Sequence, residues 1–105
     1  MAEHLNRENF KSTIEKLDVA VVDFWAEWCG PCNLLSPILE EFEQKTEGRL
    51  KLFKVNVDKD PIIASEYGVE SIPTLLTFKG GIPTNSFTGL ASKQAIEEYI
   101  SSAIK

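Results

Sequence analysis

Histidine and cysteine are scarce in this 105-residue chain, which contains one histidine and two cysteines. These side chains are too few for a four-ligand Cys/His zinc site, and a single cysteine pair excludes a scaffold held by several disulfides. Positive charge is also scarce, because 11 Lys and Arg against 16 Asp and Glu give a net charge of −5. Nucleic-acid affinity depends on concentrated positive charge, so we expect no nucleic-acid partner. Because cysteine and histidine are so few, we also expect no bound metal.

Long hydrophobic runs are missing as well. The longest apolar stretch, residues 19–26, is interrupted by Asp23, whereas a transmembrane helix needs about 20 apolar residues. The amino terminus lacks the apolar region and cleavage pattern of a signal peptide. These features favour a cytoplasmic protein without a membrane partner. In a reducing compartment, two cysteines are more often catalytic, redox-sensing or metal-binding than structural.

Length and composition are those of one folded domain. A chain of 105 residues has the size of a typical domain. Its 43% hydrophobic and 26% charged residues are near the globular average, so it can bury a core. No linker, repeat or low-complexity segment interrupts the sequence. We therefore predict a single domain over residues 1–105, present as a monomer.

The spacing of apolar residues predicts four helices. Asp60 is typical of an N-cap followed by proline at the first helical position, and Ser92 is typical of the N-cap of a last helix. Gly48 and Gly68 follow two of the helical patterns and favour their ends. The predicted helices cover residues 7–17, 31–45, 61–67 and the segment after Ser92.

Runs rich in β-branched and aromatic residues predict the strands. The Gly80-Gly81 pair is typical of a hairpin turn, and Pro83 restricts the following strand to a short or edge position. Strands joined across a helix pair in parallel, and strands joined by a tight turn pair antiparallel, so a mixed sheet covered by helices is expected. The predicted strands cover residues 19–26, 50–57, 74–79 and, more weakly, 85–89.

Two cysteines separated by two residues lie between the first predicted strand and its following helix, in Trp28-Cys29-Gly30-Pro31-Cys32. A pair with this spacing can close a small disulfide and reopen as thiols. The free N–H groups at the helix start stabilise an anion, so we expect Cys29 to be held as the attacking thiolate. Cys32, one turn further on, should be less accessible. Two buried structural cysteines, or half of a metal site, are the alternatives.

Asp23 is the only charged residue in an otherwise apolar strand. Because side chains alternate along strands, Asp23 shares a face with Trp25, and Lys54 on the second strand is a candidate partner. Burial without a partner would raise the pKa of the carboxyl group. Two interpretations follow from the residues: a carboxylate that reaches solvent at a sheet edge, or a base that accepts a proton from Cys32.

These segments together resemble the thioredoxin family. The W-C-G-P-C core within residues 21–32, followed by Pro37-Ile38, is similar to the family's active-site segment, and the similarity continues through Ile72-Pro73-Thr74 to Gly89. It covers nearly the whole chain. The resemblance implies an α/β thioredoxin fold, with a central mixed β-sheet flanked by helices on both faces. It also implies a general protein-disulfide reductase without a bound cofactor, which acts on disulfide-containing proteins and receives electrons from a thioredoxin reductase.

The resemblance assigns roles to single residues. Cys29 would be the nucleophile, Cys32 the resolving cysteine and Asp23 the proton acceptor for Cys32. The Ile72–Pro73 peptide bond, which base rates favour as trans, would be cis and face the cysteines. An extended substrate could then pair with the backbone of Ile72. The redox-tuning residues would be Gly30, Pro31 and Lys54, and the substrate-binding residues Trp28, Ile72, Pro73, Thr88 and Gly89.

Two departures from the family pattern affect the docking face. Asn33 stands after the second cysteine, where many thioredoxins have lysine, and Glu70 precedes the Ile72 turn. Both make this face more negative and bear on the choice of partner. A disulfide oxidant or isomerase, and a binding module without turnover, are the alternative functions. The Gly-Pro pair between the cysteines resembles reducing members. The sequence leaves open whether an NADPH- or a ferredoxin-linked reductase donates the electrons.

Overall fold

The structure is a computed structural model, and residues 2–104 of it are described. Within that range five strands form one sheet, and four helices connect or follow them. The strands are β1 (Glu3–His4), β2 (Val19–Trp25), β3 (Leu52–Asn56), β4 (Thr74–Lys79) and β5 (Ile82–Thr88). The helices are α1 (Phe10–Glu15), α2 (Gly30–Lys45), α3 (Pro61–Glu66) and α4 (Lys93–Ala103).

Strand β2 is central in the sheet, whose order is β1-β3-β2-β4-β5. It pairs in parallel with β3 and antiparallel with β4, and the flanking β1–β3 and β4–β5 pairs are parallel and antiparallel respectively. The apolar run of β2 suits this position, since a strand covered on both faces needs side chains that can be buried on both. The predicted mixed sheet is confirmed, and its central strand leads directly to the cysteines.

Each face of the sheet has its own hydrophobic core. Helices α1 and α3 cover one face, where Phe10 and Ile63 belong to the same cluster as Phe24 of β2. Helices α2 and α4 cover the other, where Leu35 and Ile96 pack with residues of β2 and β4. This arrangement confirms that helices flank the sheet on both sides. Among residues 2–104, no helix is both long and apolar enough to cross a membrane.

Three sequence predictions need correction. The first helix is shorter than residues 7–17, and β1, which precedes it, was missed. Strand β5 is longer than residues 85–89, although it is an edge strand, as Pro83 suggests. Asp60 is at the N-cap position of α3 as predicted, but its side chain makes no capping hydrogen bond; its Oδ1 accepts the backbone N–H of Arg7 at 3.1 Å. Asp60 therefore holds the segment after β1 in place, because its Oδ1 accepts a hydrogen bond from Arg7 of that segment and none from α3.

Candidate active site

The two cysteines lie at the N-terminus of α2, immediately beyond the central strand. Cys29 is the N-cap residue in an extended conformation, and its Sγ accepts the N–H of Cys32 at 3.2 Å. The two sulfurs are joined in a disulfide, with a Cα–Cα distance of 5.3 Å. Gly30 and Pro31 form the first turn between them, where proline's missing N–H removes no helical hydrogen bond. The interpretation of a pair that closes within itself is therefore confirmed.

Both cysteines are nearly buried. Cys29 is 4% exposed and Cys32 is 1% exposed, so Cys32 is the less accessible, as expected, but by a small margin. They form a cluster with Ala26, against which Val57 and Ile72 pack. Cys29 therefore offers a target the larger of two small exposed areas.

Trp28 is the exposed aromatic residue beside the disulfide. Its side chain is 71% exposed, and its indole N–H donates to Asp58 Oδ2 at 2.8 Å. Asp58 was not identified from the sequence, although a signal was present: Trp28 follows β2 and Asp58 follows the neighbouring parallel β3. The ends of parallel neighbours meet at one edge of a sheet. The hydrogen bond holds a large apolar surface in one orientation at this edge.

The turn before β4 contacts the cysteine cluster. The Ile72–Pro73 peptide bond is cis, and Ile72 packs against the cluster that holds the disulfide. Gly89 has φ +94°, a left-handed conformation that favours glycine, and its N–H donates to the Pro73 carbonyl at 2.8 Å. Thr88 lies next to it, with its Oγ1 3.2 Å from Thr74 Oγ1. The structure thus brings Ile72, Pro73, Thr88 and Gly89 together on one side of the site.

A shallow cavity continues this surface away from the disulfide. Its volume is about 360 Å³, and it lies between Trp28 and Ile72, with Val57 at its wall. Glu70 is the charged residue in its lining and is exposed, as is Asn33 at the start of α2. Glu70 therefore lies beside Trp28 and Ile72, two of the residues predicted to bind substrate.

Asp23 is fully buried beneath α2. It is 0% exposed, so the alternative in which its carboxylate reaches solvent is wrong. Burial raises the pKa of Asp23 to about 7, and the nearby positive charge of Lys54 offsets part of that increase. A carboxyl group with this pKa can both take up and release a proton near neutral pH.

Lys54 faces Asp23 from the neighbouring strand, as side-chain alternation predicts. The two residues are paired in register, and Lys54 Nζ is 4.0 Å from Asp23 Oδ2. The ammonium also lies over the Trp25 ring, 4.6 Å from its centroid, and donates a hydrogen bond to Ser36 Oγ at 2.5 Å. Sequence reasoning missed Ser36, because a single serine in an amphipathic helix carries no pattern that marks it.

The two cysteines that half of a metal site would use are joined to each other. In residues 2–104, no three His, Cys, Asp or Glu side chains are grouped closely enough to hold a metal ion. His4 lies on β1 with its ring 5.7 Å from that of Trp25. Partial burial, and then the charges of Lys54 and Lys59, lower the pKa of His4.

Fold and site together define a class of protein. A disulfide that closes within one helical turn, at the end of a central strand and beside an exposed aromatic residue, is suited to reversible exchange with other disulfides. The protein is a thiol–disulfide oxidoreductase.

Known proteins make the assignment specific. A family model described as Thioredoxin matches residues 1–102, and the chain belongs to the thioredoxin family. It is 42% identical to a thioredoxin of Rickettsia felis over 105 residues, which cover 99% of this chain and 100% of that protein. It is 43% identical to thioredoxin 1 of a Nostoc species, with 94% of each chain covered.

A solved structure of a mutant thioredoxin from Halobacterium salinarum is similar in fold. The TM-score is 0.88 at 30% sequence identity, and the match covers 99% of this chain and 91% of that one. The thioredoxin fold expected from the sequence is confirmed. The family carries out dithiol–disulfide exchange, and the Cys29–Cys32 pair supplies the two thiols that the reaction requires.

Proposed function

We propose that the protein is a general protein-disulfide reductase whose cysteine pair is reduced again by a thioredoxin reductase. The observation that carries the proposal is the Cys29–Cys32 disulfide at the N-terminus of α2. Both redox states of the pair are compatible with that position, since the helix start stabilises a thiolate and the spacing allows ring closure.

The first step forms a mixed disulfide. The Cys29 thiolate attacks one sulfur of a target disulfide, and a new bond forms between Cys29 Sγ and that sulfur. The target's own S–S bond breaks, and its electron pair leaves on the second target sulfur, which takes a proton from solvent. The free N–H groups at the start of α2 stabilise the attacking anion.

The second step releases the reduced target. The Cys32 thiol gives its proton to Asp23, and the resulting thiolate attacks Cys29 Sγ. The bond between Cys29 and the target breaks, and the target departs as a thiolate that is then protonated. Two electrons have moved to the target, and the Cys29–Cys32 disulfide has formed again. A reductase must supply two electrons and two protons before the next turnover.

The surface around the pair is suited to an extended substrate segment. Trp28 offers exposed apolar area, and the backbone of Ile72 can pair with a strand of substrate. The opposite side of this docking surface consists of Pro73, Thr88 and Gly89. Hydrogen bonds hold these residues together, since Gly89 is bonded to Pro73 and Thr88 to Thr74 of β4. We assign the tuning of the redox reaction to Gly30, Pro31 and Lys54, which surround the sulfurs and the Asp23 carboxylate.

The proposal includes a monomer with one domain over residues 1–105, a cytoplasmic location and no bound cofactor. Family membership supports the absence of a bound cofactor, since dithiol–disulfide exchange needs only the cysteine pair. It also includes reduction by a dedicated reductase, which purified candidate enzymes from the source organism can test directly.

Catalytic reduction of insulin disulfides tests the function. We expect multiple turnovers with a reductase or dithiothreitol as electron donor, no turnover for C29S, and a trapped mixed disulfide for C32S. A stoichiometric reaction without turnover would favour a binding module. Faster oxidation than reduction of model dithiols would favour an oxidant.

Asp23→Asn tests the proton acceptor. We expect release of the mixed disulfide at pH 7 to slow on the order of 100-fold, since a general base is lost. Attack by Cys29 should change little. Rapid-quench measurement of both steps across pH 6–9 provides the comparison, and an unchanged release rate over that range removes Asp23 from the mechanism.

A further inference from the structure

The side chain of Lys54 has two polar neighbours and makes a hydrogen bond to only one of them. Its Nζ donates to Ser36 Oγ at 2.5 Å but remains 4.0 Å from Asp23 Oδ2. A charge-assisted N–H···O bond normally measures about 2.7–2.9 Å, so the Lys54–Asp23 contact is an ion pair without a hydrogen bond.

The 4.0 Å between Lys54 Nζ and Asp23 Oδ2 is not explained by the length of the lysine side chain. Asp23 and Lys54 are directly paired on adjacent parallel strands, and both are largely excluded from water, with side-chain exposures of 0% and 13%. Neither oxygen of the carboxylate accepts a hydrogen bond from any group in residues 2–104. A buried carboxylate without a donor is costly, and a buried ammonium 4.0 Å away would ordinarily close on it.

Ser36 lies on the helix side of the Lys54 ammonium. It lies on α2 one turn after Cys32, so the two side chains are on the same face of the helix. Leu35 and Leu39 of α2 pack against Val21, which shares the Asp23 face of β2. The serine hydroxyl therefore reaches the ammonium from the helix side, and the Trp25 ring lies below the same ammonium.

We propose that Ser36 is a positioning residue, which accepts a hydrogen bond from the Lys54 ammonium and thereby keeps this cation beside Asp23 without allowing a hydrogen-bonded ion pair. The cation stabilises the carboxylate through space, and the carboxylate oxygens stay free to take a proton. This inference rests on the proposed role of Asp23 as the proton acceptor for Cys32.

The arrangement matters because base strength depends on the pairing. Burial raises the pKa of Asp23 to about 7 despite the Lys54 charge. A direct hydrogen bond from an ammonium would stabilise the charged form and lower that pKa. A weaker base takes the Cys32 proton less readily, so the resolving step would slow at neutral pH.

The other groups around Asp23 leave Lys54 as its main electrostatic partner. Helix α2 contributes Ser36, which contacts Lys54, while β4 places apolar Leu75 opposite Asp23. Helix α4 adds Ile96 and Ile100 to this face. His4 on β1 contacts Trp25 and not Asp23. Partial burial, and then the charges of Lys54 and Lys59, lower its pKa.

The test is the pKa of Asp23 in the oxidised Ser36→Ala variant, followed through the carboxyl carbon by NMR. Without the hydroxyl, the ammonium closes on the carboxylate, and we expect the pKa to fall by about one pH unit. An unchanged pKa contradicts the proposal. A raised pKa also contradicts it, because Ser36 would then be drawing the ammonium toward Asp23.

Matched variants isolate the hydroxyl and the cation. Ser36→Thr keeps a hydroxyl and should retain the pKa of the unmodified protein, whereas Ser101→Ala removes a serine of similar exposure from α4 and should change nothing. In a Lys54→Met background, Ser36→Ala should no longer affect Asp23. A full effect in that background would show that the serine acts without the ammonium and would overturn the proposal.

Kinetics separate this inference from the proposed function. In Ser36→Ala, the pH profile for release of the mixed disulfide should move to lower pH by the same amount as the Asp23 pKa. If the pKa falls and the profile stays fixed, Ser36 positions Lys54 but Asp23 is not the proton acceptor. If the Asp23 pKa stays fixed, the positioning role itself is wrong.

Discussion

At the scale of single residues, Asp23 is the position where folding and chemistry differ in what they require. A buried carboxylate destabilises the fold when it is ionised, yet the proposed reaction needs a base in contact with the buried Cys32 thiol. The structure leaves the carboxylate without a hydrogen bond from residues 2–104, and its pKa rises to about 7.

Asp23→Asn should therefore stabilise the protein in a pH-dependent manner. The pKa of Asp23 is raised on folding from 3.8 to about 7, so the folded state binds the proton more tightly. The stabilisation from protonated Asp23 is fully present below pH 4 and is lost as pH rises through 7. A neutral asparagine avoids that loss, and the linkage relation limits its advantage to about 4 kcal/mol.

Denaturant unfolding of the oxidised proteins at pH 4.5 and pH 8 measures this difference. The variant should be more stable than the unmodified protein at pH 8, and most of that advantage should disappear at pH 4.5. An advantage of equal size at both pH values would mean that it arises from packing and not from the ionisation of Asp23.

The residues of the site differ in how far the sequence could reveal them. The spacing of Cys29 and Cys32 and their place before a helix are local features, so they were predictable. Strand alternation was sufficient to pair Asp23 with Lys54. The cis bond before Pro73 followed only from the family resemblance, since local statistics favour trans. Ser36 was not predictable, because its role depends on where the Lys54 ammonium ends in three dimensions.

At the scale of helices and strands, the N-cap residues Ser92 and Asp60 have similar sequence signals but different contacts. Ser92 Oγ accepts the Ala95 N–H at 3.1 Å and caps α4 as predicted, while Asp60 makes no such bond to α3. Both residues are good N-caps by type. The difference arises because Arg7, 53 positions away in sequence, donates to the Asp60 carboxylate.

Ser92→Ala should destabilise the protein by about 1 kcal/mol, the usual effect of losing a side-chain N-cap. Asp60→Ala should show no capping loss. Any loss of stability in that variant should come from the missing hydrogen bond between Asp60 and the backbone N–H of Arg7. Thermal unfolding of the Ser92→Ala and Ser92→Thr variants provides the check. Threonine should restore most of the stability, and equal loss in both variants would contradict a capping role.

The strands show the same division between local and distant causes. Residues 19–26, 50–57 and 74–79 have strong β patterns, and each contains a strand of the structure. Strand β1 has two exposed residues and no such pattern. It is a strand because β3 pairs with it, which is a tertiary effect that a propensity cannot report. Strand β5 extends past its prediction because β4 supplies partners from Thr88 back to Ile82, with one irregularity between Thr77 and Phe78.

At the scale of the whole molecule, the net charge of −5 acts on encounters with partners. Long-range fields alter association rates more than they alter the chemistry of a site. Glu70 lies exposed in the cavity beside Trp28, so the negative bias extends to the docking surface. We expect cationic peptide disulfides to be reduced faster than anionic ones of the same length.

Glu70→Lys should change the ratio of kcat/KM for cationic over anionic peptides by about 3–10-fold, in favour of the anionic ones, at low ionic strength. The change should shrink above about 0.1 M salt, where screening acts within roughly 10 Å. Glu47→Lys is the matched control, because it alters the net charge equally and follows the far end of the 16-residue helix α2, about 24 Å from its start. Equal effects of the two variants would assign the preference to net charge alone.

The strand order also has a consequence for the newly made chain. Strand β2 has its two partners, β3 and β4, on the C-terminal side, so the sheet around it cannot be complete before Lys79 has been added. Translation at about 5–20 residues per second takes roughly 2–10 s to proceed from Cys32 to Lys79. For those seconds the thiols belong to a nascent chain whose sheet is incomplete, so the burial that shields Cys32 and raises the pKa of Asp23 does not yet act on them.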